Sequence, residues 1–288
     1  MSDKAKMIYL HALTPIHSGT GQGTGVIDLP IAREKATGWP FLPSTGLKGV
    51  WRAALEEKHN PPGKKDWGTK VFGDQNRAGA FCFADQRILC LPIRSFFGTF
   101  AYVTCPLALQ RFKRDRDSFQ LGVSFPDAPV ATGEQILICT TSVLDKNGTV
   151  YLEDLDLIKA ESNADAIAKL LSVFIFPVAE RNAFVSRFAI VSDEIFNFLS
   201  ETGTEISAHI KIDEDTKTTT PGSLRYEESV PTEAIFYGPV LLSEFAREVD
   251  LDRNLDNLKT TILQIGGKST SGQGLCRVIV EPRVEVQP

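Results

Sequence analysis

Residues His17–Pro30 read HSGTGQGTGVIDLP. Glycine occupies positions 19, 21, 23 and 25, and an aliphatic run holding one acid follows: Val26, Ile27, Asp28, Leu29, Pro30. What comes after the glycines decides the fold. A dinucleotide-binding unit sets such glycines between a strand and an immediately following helix, whose N-terminus receives the pyrophosphate. Here they run into VIDLPI, which is β-like and stopped by proline. Nor does the chain contain a G-x-x-x-x-G-K-[ST] loop. A doubly wound sheet is therefore rejected at its first glycine loop. Such a loop still lets backbone approach a large anion closely. A lone acid among aliphatic residues then suits a phosphodiester backbone lying beside one catalytic or metal-binding carboxylate. The plainer alternative is a set of turns with Asp28 as a turn residue or cap.

Outward from this loop the chain alternates strands and helices without a regular βαβ rhythm. Lys6–Thr14 is rich in β-formers and reads as the preceding strand. Downstream, Ser44 is a fair N-cap for a helix over Gly46–Lys58, with Leu47, Val50, Trp51, Ala54 and Leu55 at helical spacing. Asn60–Gly79 is rich in Pro, Gly and Lys and reads as an exposed, mobile insertion. Ala80–Ile93 gives one or two strands, Pro106–Arg116 a short helix, and Glu134–Thr141 and Thr149–Lys159 strands. Asn163–Phe176 and Ser192–Ser200 read as helices and Thr204–Asp213 as a strand. A polar projection, Glu214–Ser223, precedes a hairpin of Leu224–Val230 and Glu233–Leu242. Leu251–Gln264 reads as a helix and Leu275–Val280 as the last strand. This order predicts an α+β fold, an antiparallel sheet with insertions.

The composition narrows the class. With 288 residues, 42% of them hydrophobic and 23% charged, the chain can bury a full core. No apolar run is long enough to span a bilayer, and the N-terminus lacks the pattern of a secretory signal. The five cysteines form no C-x-x-C pair, so they read as reduced core residues of a cytoplasmic protein. With four scattered histidines there is no zinc constellation. A net charge of −5 argues against a free-standing nucleic-acid binder held by bulk charge. It leaves room for a local basic surface: Arg33–Lys70 carries eight Lys and Arg against four acids.

Two further motifs fit such a surface. Ile265–Leu275, IGGKSTSGQGL, sits before the last strand and combines backbone N–H groups, small hydroxyls and Lys268, the makings of a phosphate cradle. A helix C-cap accounts for Gly266 but not for Gly267, Gly272 and Gly274 as well. In Ser44–Arg52, STGLKGVWR, Lys48 and Arg52 are four apart and share one helix face. By itself that pair reads as a solvated charged face.

Taken together, H-x-G-x-G-x-G-x-G-x-x-D-L-P-I after a strand, P-S-T-G-L-K-G-x-x-R, and a C-terminal I-G-G-K-S-T-S-G-Q-G-L resemble the RAMP superfamily of CRISPR effectors. More narrowly, they resemble the backbone subunit of the type III-B (Cmr) complex. The motifs lie at both ends of the chain in the family's order, and LRYEESVP at Leu224–Pro231 is similar to its hairpin region. The middle, roughly 97–193, adds little. The resemblance implies one elaborated domain over 1–288: a modified RRM-like (ferredoxin-like) palm, a fingers region inserted at about 60–79 and 97–133, and a β-hairpin thumb at about 211–242. It implies copies stacked along a CRISPR guide RNA with other Cmr subunits, away from any membrane. It also implies endonucleolytic cleavage of a complementary single-stranded target RNA, dependent on Mg²⁺ or another divalent cation. Carried onto this chain, the catalytic aspartate is Asp28, with His17 near it and Tyr226, Glu227 and Glu228 more loosely aligned near the cut. RNA backbone falls to Ser44, Lys48 and Arg52, and to the loop Gly266, Gly267, Lys268, Ser269, Thr270, Ser271 and Gly272.

The chemistry agrees. RNA supplies its own nucleophile, the 2′-OH, so cleavage needs in-line geometry, proton transfer and relief of charge on the phosphorane. Asp28 is either a metal ligand or a general base, and the sequence does not choose. His17 either moves a proton or holds the glycine loop by a hydrogen bond. A regular A-form duplex does not place the 2′-OH in line, so a projecting thumb that displaces a nucleotide is expected to help. Three alternatives stand beside this reading. They are a non-catalytic backbone subunit that only binds guide RNA, a type III-A homologue, and a guide-processing ribonuclease, the last disfavoured by the low pI.

Overall fold

The computed structural model describes residues 5–21, 23, 25–59, 66–161, 164–243 and 261–281. The first half runs β1 (Ala5–Ala12), β2 (Phe41–Leu42), α1 (Ser44–His59), α2 (Asp66–Phe72), β3 (Phe81–Phe83), β4 (Gln86–Arg94), β5 (Phe100–Thr104), α3 (Pro106–Ser118), β6 (Gln135–Ile138), β7 (Thr149–Leu152) and β8 (Leu155–Ala160). The second runs α4 (Ala164–Ile175), α5 (Val178–Val185), β9 (Phe188–Val191), α6 (Asp193–Thr202), β10 (Glu205–His209), β11 (Arg225–Ser229), β12 (Ile235–Leu242), β13 (Thr261–Gln264) and β14 (Leu275–Val280).

The first strand organises the molecule. Every residue of β1, AKMIYLHA, is buried, and it pairs antiparallel with β12 on one side and β14 on the other. Side chains alternate across a strand, so Ile8, Leu10 and Ala12 enter one core while Met7 and Tyr9 enter a second. The first core takes Leu47, Trp51 and Leu55 of α1 and Phe196 and Leu199 of α6. The second takes Leu109 and Phe112 of α3 and Ile167, Leu171 and Phe174 of α4. A strand covered on both faces is apolar throughout, as β1 is.

Among the described residues twelve strands share one sheet, ordered β13-β14-β1-β12-β4-β5-β9-β6-β8-β7, with β2 on β4 and β3 on β12. The far end curls, so that β7 returns to the end of β4. There Phe96 N–H donates to Tyr151 O at 3.2 Å and Glu153 N–H to Arg94 O at 3.0 Å. Buried Arg116 of α3 reaches both Glu281 and the Tyr9 hydroxyl. This contact locks the end of β14 to β1, and breaking such a buried pair is costly. Among the described residues no helix is long and apolar enough to cross a membrane. All five cysteines are free, and Cys82 is exposed where a core position was expected.

Six expectations change. The sheet is mixed and not antiparallel throughout, with β5–β9 and β6–β8 parallel, and Thr149–Lys159 is not one strand but the antiparallel pair β7 and β8. Leu251–Gln264 is not a helix to its end: Thr261–Gln264 is β13, drawn into strand by its antiparallel partner β14, and residues 251–260 lie outside the described residues. Leu224–Val230 does not form a hairpin with Glu233–Leu242. β11 pairs with β10 in a separate two-stranded sheet, while β12 is claimed by β1, β3 and β4. Asn60–Gly79 is not exposed throughout, because α2 buries Val71 and Phe72 in the first core. Ser44 is the first helical residue of α1 and not its cap, and its N–H donates to Asp85 Oδ1 at 2.7 Å. The strand β5, the helix α5 and the strand β9 also appear where no element was expected.

Candidate functional site

The chain leaving β1 is stitched on both sides. On one side Leu13 N–H donates to Leu275 O at 2.7 Å and Gly274 N–H to Pro15 O at 2.8 Å. On the other, Ile16 and Val230 exchange hydrogen bonds at 2.8 and 2.9 Å. His17 follows at once and so sits between the β13–β14 loop and the end of β11. The loop over 18–32 then closes on itself, with Ala32 N–H on Ser18 O at 2.7 Å and Gly23 N–H on Asp28 O at 2.8 Å.

This closure presents Asp28 to solvent at the root of the β10–β11 arm. Its Oδ2 accepts the Tyr226 backbone N–H at 2.7 Å. Leu29 N–H donates to Tyr226 O at 3.1 Å and Glu228 N–H to Leu29 O at 3.0 Å, a parallel bridge between loop and arm. Asp28 Oδ1 has no protein donor among the described residues. Val26, two residues before it, is 90% exposed.

His17 is buried, and its Nδ1 lies 2.7 Å from the Glu228 carbonyl oxygen. A carbonyl only accepts, so Nδ1 carries the hydrogen and Nε2 has the free lone pair when the ring is neutral. The His17 carbonyl accepts Gly267 N–H at 2.9 Å. Both glycine loops are shaped around this residue. A Cβ on Gly19 would stand 2.6 Å from His17 Nε2, and one on Gly266, whose φ is +88°, would stand 2.5 Å from the His17 carbonyl oxygen. Gly266 is thus needed for packing as well as for any role as a cradle.

Three residues of β11 differ sharply. The Tyr226 side chain is partly exposed. Glu228 is buried and spends both oxygens on the scaffold: Oε2 takes Ile31 N–H at 3.1 Å, and Oε1 takes Arg33 at 2.5 Å and Thr204 Oγ1 at 3.0 Å. Glu227 is only 1% exposed, with Lys268 Nζ 2.9 Å from its Oε2. Lys268 itself has φ +64° and heads the turn Ser269–Ser271. The leading N–H groups of such a turn have no acceptor within it. Ser269, Thr270, Ser271 and Gly272 are exposed.

The α1 cations stand apart from one another. Arg52 is used internally, donating to Glu56 Oε1 at 2.9 Å and to Gly73 O at 3.1 Å. Lys48 has no ion-pair partner among the described residues. Arg33 is also internal, bonded to Glu228, Gly38 O and Ser200 O. Part of the basic excess read from Arg33–Lys70 is therefore spent inside the protein, and Lys64 and Lys65 lie outside the described residues. The sequence missed His209 of β10, whose Nε2 lies 3.9 Å from Glu227 Oε2. Only the register of β10 on β11 brings the two together.

Behind the site, Glu233 fixes the chain where the arm rejoins the sheet. Its N–H donates to Ala12 O at 2.8 Å, and its carboxylate accepts from the Tyr102 hydroxyl and lies 2.8 Å from His11 Nε2. Burial works against the charged form, but the hydrogen bonds from His11 and Tyr102 outweigh it and hold Glu233 below the usual carboxyl range.

Among the described residues no three His, Cys, Asp or Glu side chains are grouped to hold a metal. Mg²⁺ seldom needs such a cage: it takes one or two carboxylates, substrate phosphate oxygens and waters. Asp28, exposed and with one oxygen uncommitted, fits that donor set.

The RAMP superfamily profile matches residues 9–277. The chain is 35% identical over 294 residues to the CRISPR system Cmr endoribonuclease Cmr4 of Pyrococcus furiosus, covering 96% of each. The crystal structure of oligomeric Cmr4 from Pyrococcus furiosus superposes with a TM-score of 0.78 at 28% identity, covering 96% of this chain and 98% of that one. A chain of the type III-B Cmr-beta complex bound to cognate target RNA, from cryo-EM, shares the fold with a TM-score of 0.74 at 24% identity, over 96% of each. The chain belongs to the RAMP superfamily and, within it, to the Cmr4 family.

Proposed function

We propose that this protein is the backbone subunit of a type III-B CRISPR effector complex, repeated along a guide RNA and cleaving the paired target RNA endonucleolytically within that complex. The observation that carries the reading is Asp28: an exposed carboxylate fixed by the Tyr226 N–H at the root of a projecting arm. Full-length kinship to an endoribonuclease named Cmr4 supports the activity. We read the antiparallel order β14-β1-β12-β4, with α1 between β1 and β4 in the chain, as an RRM-like palm. The β10–β11 arm is the core of the thumb, and the segments around α2 and before β6 belong to the fingers. The place of action is the cytoplasm.

In this reading the target strand lies across Asp28 with guide backbone on the Gly266–Gly272 loop and Lys48. Asp28 would hold a divalent cation there, whose chemistry would be relief of charge on the phosphorane. The chain's own groups supply position and proton transfer. His17, its Nδ1–H spent on the Glu228 carbonyl, offers Nε2 to accept the 2′-OH proton. Glu228 holds His17, Ile31 and Arg33 in one frame and acts through them. The arm is the element that distorts the RNA toward in-line geometry. The test is cleavage of target RNA by complex reconstituted with Asp28→Ala. Loss of cutting with assembly intact is expected, whereas retained cutting would favour a backbone subunit whose Asp28 is structural.

A further inference from the structure

His209 ends β10 directly across from Arg225. Its Nε2 is buried, has no hydrogen-bond partner among the described residues, and lies 3.9 Å from Glu227 Oε2. The same oxygen has Lys268 Nζ at 2.9 Å. Glu227 is 1% exposed, and among the described residues neither of its oxygens receives a well-formed hydrogen bond. A carboxylate so placed must keep a cation, because removing the partner of a buried charge is strongly unfavourable.

Lys268 and the His209 ring therefore converge on one oxygen from different elements. Lys268 rides on the loop assigned above to RNA backbone, at the end of a flexible stem, and its side chain is 30% exposed. An arriving phosphate competes with Glu227 for it. If Lys268 turns to the phosphate, Glu227 is left buried with no partner, and His209 is the group in place to take over, about one ångström short of a hydrogen bond. Glu227 adjoins Tyr226, whose N–H holds Asp28, and it pairs with Leu29 across the bridge.

We propose that His209 is a positioning residue of the RNA-bound state. When RNA draws Lys268 away, His209 takes a proton from solvent and closes on Glu227, keeping the root of the arm against the loop that carries Asp28. The charged groups facing it are Glu227 and Arg225 on β11 and Lys268 on the β13–β14 loop. The proposal rests on the RNA-cleavage reading above.

The test is the rate of target cleavage by reconstituted complex against pH, for wild type, His209→Asn, His209→Arg and Asp28→Ala. A neutral His209 and Asn are equivalent here, so the wild-type to His209→Asn rate ratio should be about tenfold at acid pH. It should shrink toward one as the pH rises. His209→Arg, always charged, should gain on wild type over the same rise. A ratio that does not change with pH, whatever its size, overturns the proposal, as does an Arg variant that tracks Asn. Asp28→Ala separates the two levels of the account. With cleavage lost there and the ratio flat, the His209 proposal alone falls. With cleavage retained there, the site assignment falls and takes His209 with it.

Discussion

The Tyr226 backbone N–H donates to Asp28 Oδ2 at 2.7 Å across 198 positions of sequence. The Tyr226 carbonyl also faces the loop, accepting Leu29 N–H at 3.1 Å. Both main-chain groups of Tyr226 are therefore spent on the loop and not on β10. Proline at 226 removes that donor while leaving the β10 ladder its bonds. Tyr226→Pro should slow target cleavage by about tenfold or more, since a misplaced catalytic group is expensive. Tyr226→Ala, which keeps the N–H, should be the milder variant. Cleavage rates of the two in reconstituted complex check the order, and equal losses would mean that the ring and not the N–H matters.

The glycines of the two loops are not equivalent. Gly266→Ala puts a Cβ 2.5 Å from the His17 carbonyl oxygen at a φ of +88°. Such strain costs about 1–3 kcal/mol and moves His17. Gly25→Ala meets nothing within 4 Å and should stay within about 0.5 kcal/mol of wild type. Thermal melts of the isolated variants, with cleavage measured alongside, distinguish the two positions.

Acid should loosen the seat of the arm. Glu233 is held below its ordinary value of about 4.5 by His11 and Tyr102. A carboxyl whose folded value is depressed adds stability that is present above its unfolded value and lost as the pH falls through the folded one. Glu233→Gln should therefore lower stability at neutral pH, by about 0.5–1.5 kcal/mol for the weakened, partly buried hydrogen bonds. It should also flatten the fall below pH 4.5. Denaturant titrations of both proteins from neutral pH into that window test this. A Glu233→Gln protein with an unchanged acid limb would contradict it.

Lys48 and Arg52 share a helix face but not a role. Arg52→Ala loses the contacts to Glu56 and Gly73. It should cost about 0.5–1.5 kcal/mol of stability, with little change in the salt dependence of RNA assembly. Lys48→Ala should leave stability alone and reduce the log–log salt slope of assembly on guide RNA by about one. Binding titrations at several salt concentrations read the difference directly.

What was legible in the sequence was local. β1 announces itself by its β-formers and α1 by apolar spacing, α3, α4 and α6 lie where helices are read, and Ser192 caps α6 as its type suggests, accepting Ile195 N–H at 3.3 Å. The short buried runs Phe100–Thr104 and Phe188–Val191 carry no periodicity and were missed. Thr261–Gln264 was misread because its strand character comes from β14, not from its own residues. The same holds for the site. Asp28 and His17 stand out beside glycines, and Lys268 within a glycine loop. The scaffold role of Glu228 and the approach of His209 to Glu227 depend on which strand pairs with which, and in what register, and no local pattern encodes that.

The central claim is that Asp28 carries the cleavage. Its most direct test is single-turnover cutting of a complementary RNA by complex reconstituted with wild-type or Asp28→Ala subunit, with target affinity measured on the same preparations. The account predicts loss of at least about a hundredfold in rate, with affinity and assembly within about twofold of wild type. Cutting at the normal sites and rate by the Asp28→Ala complex would contradict it.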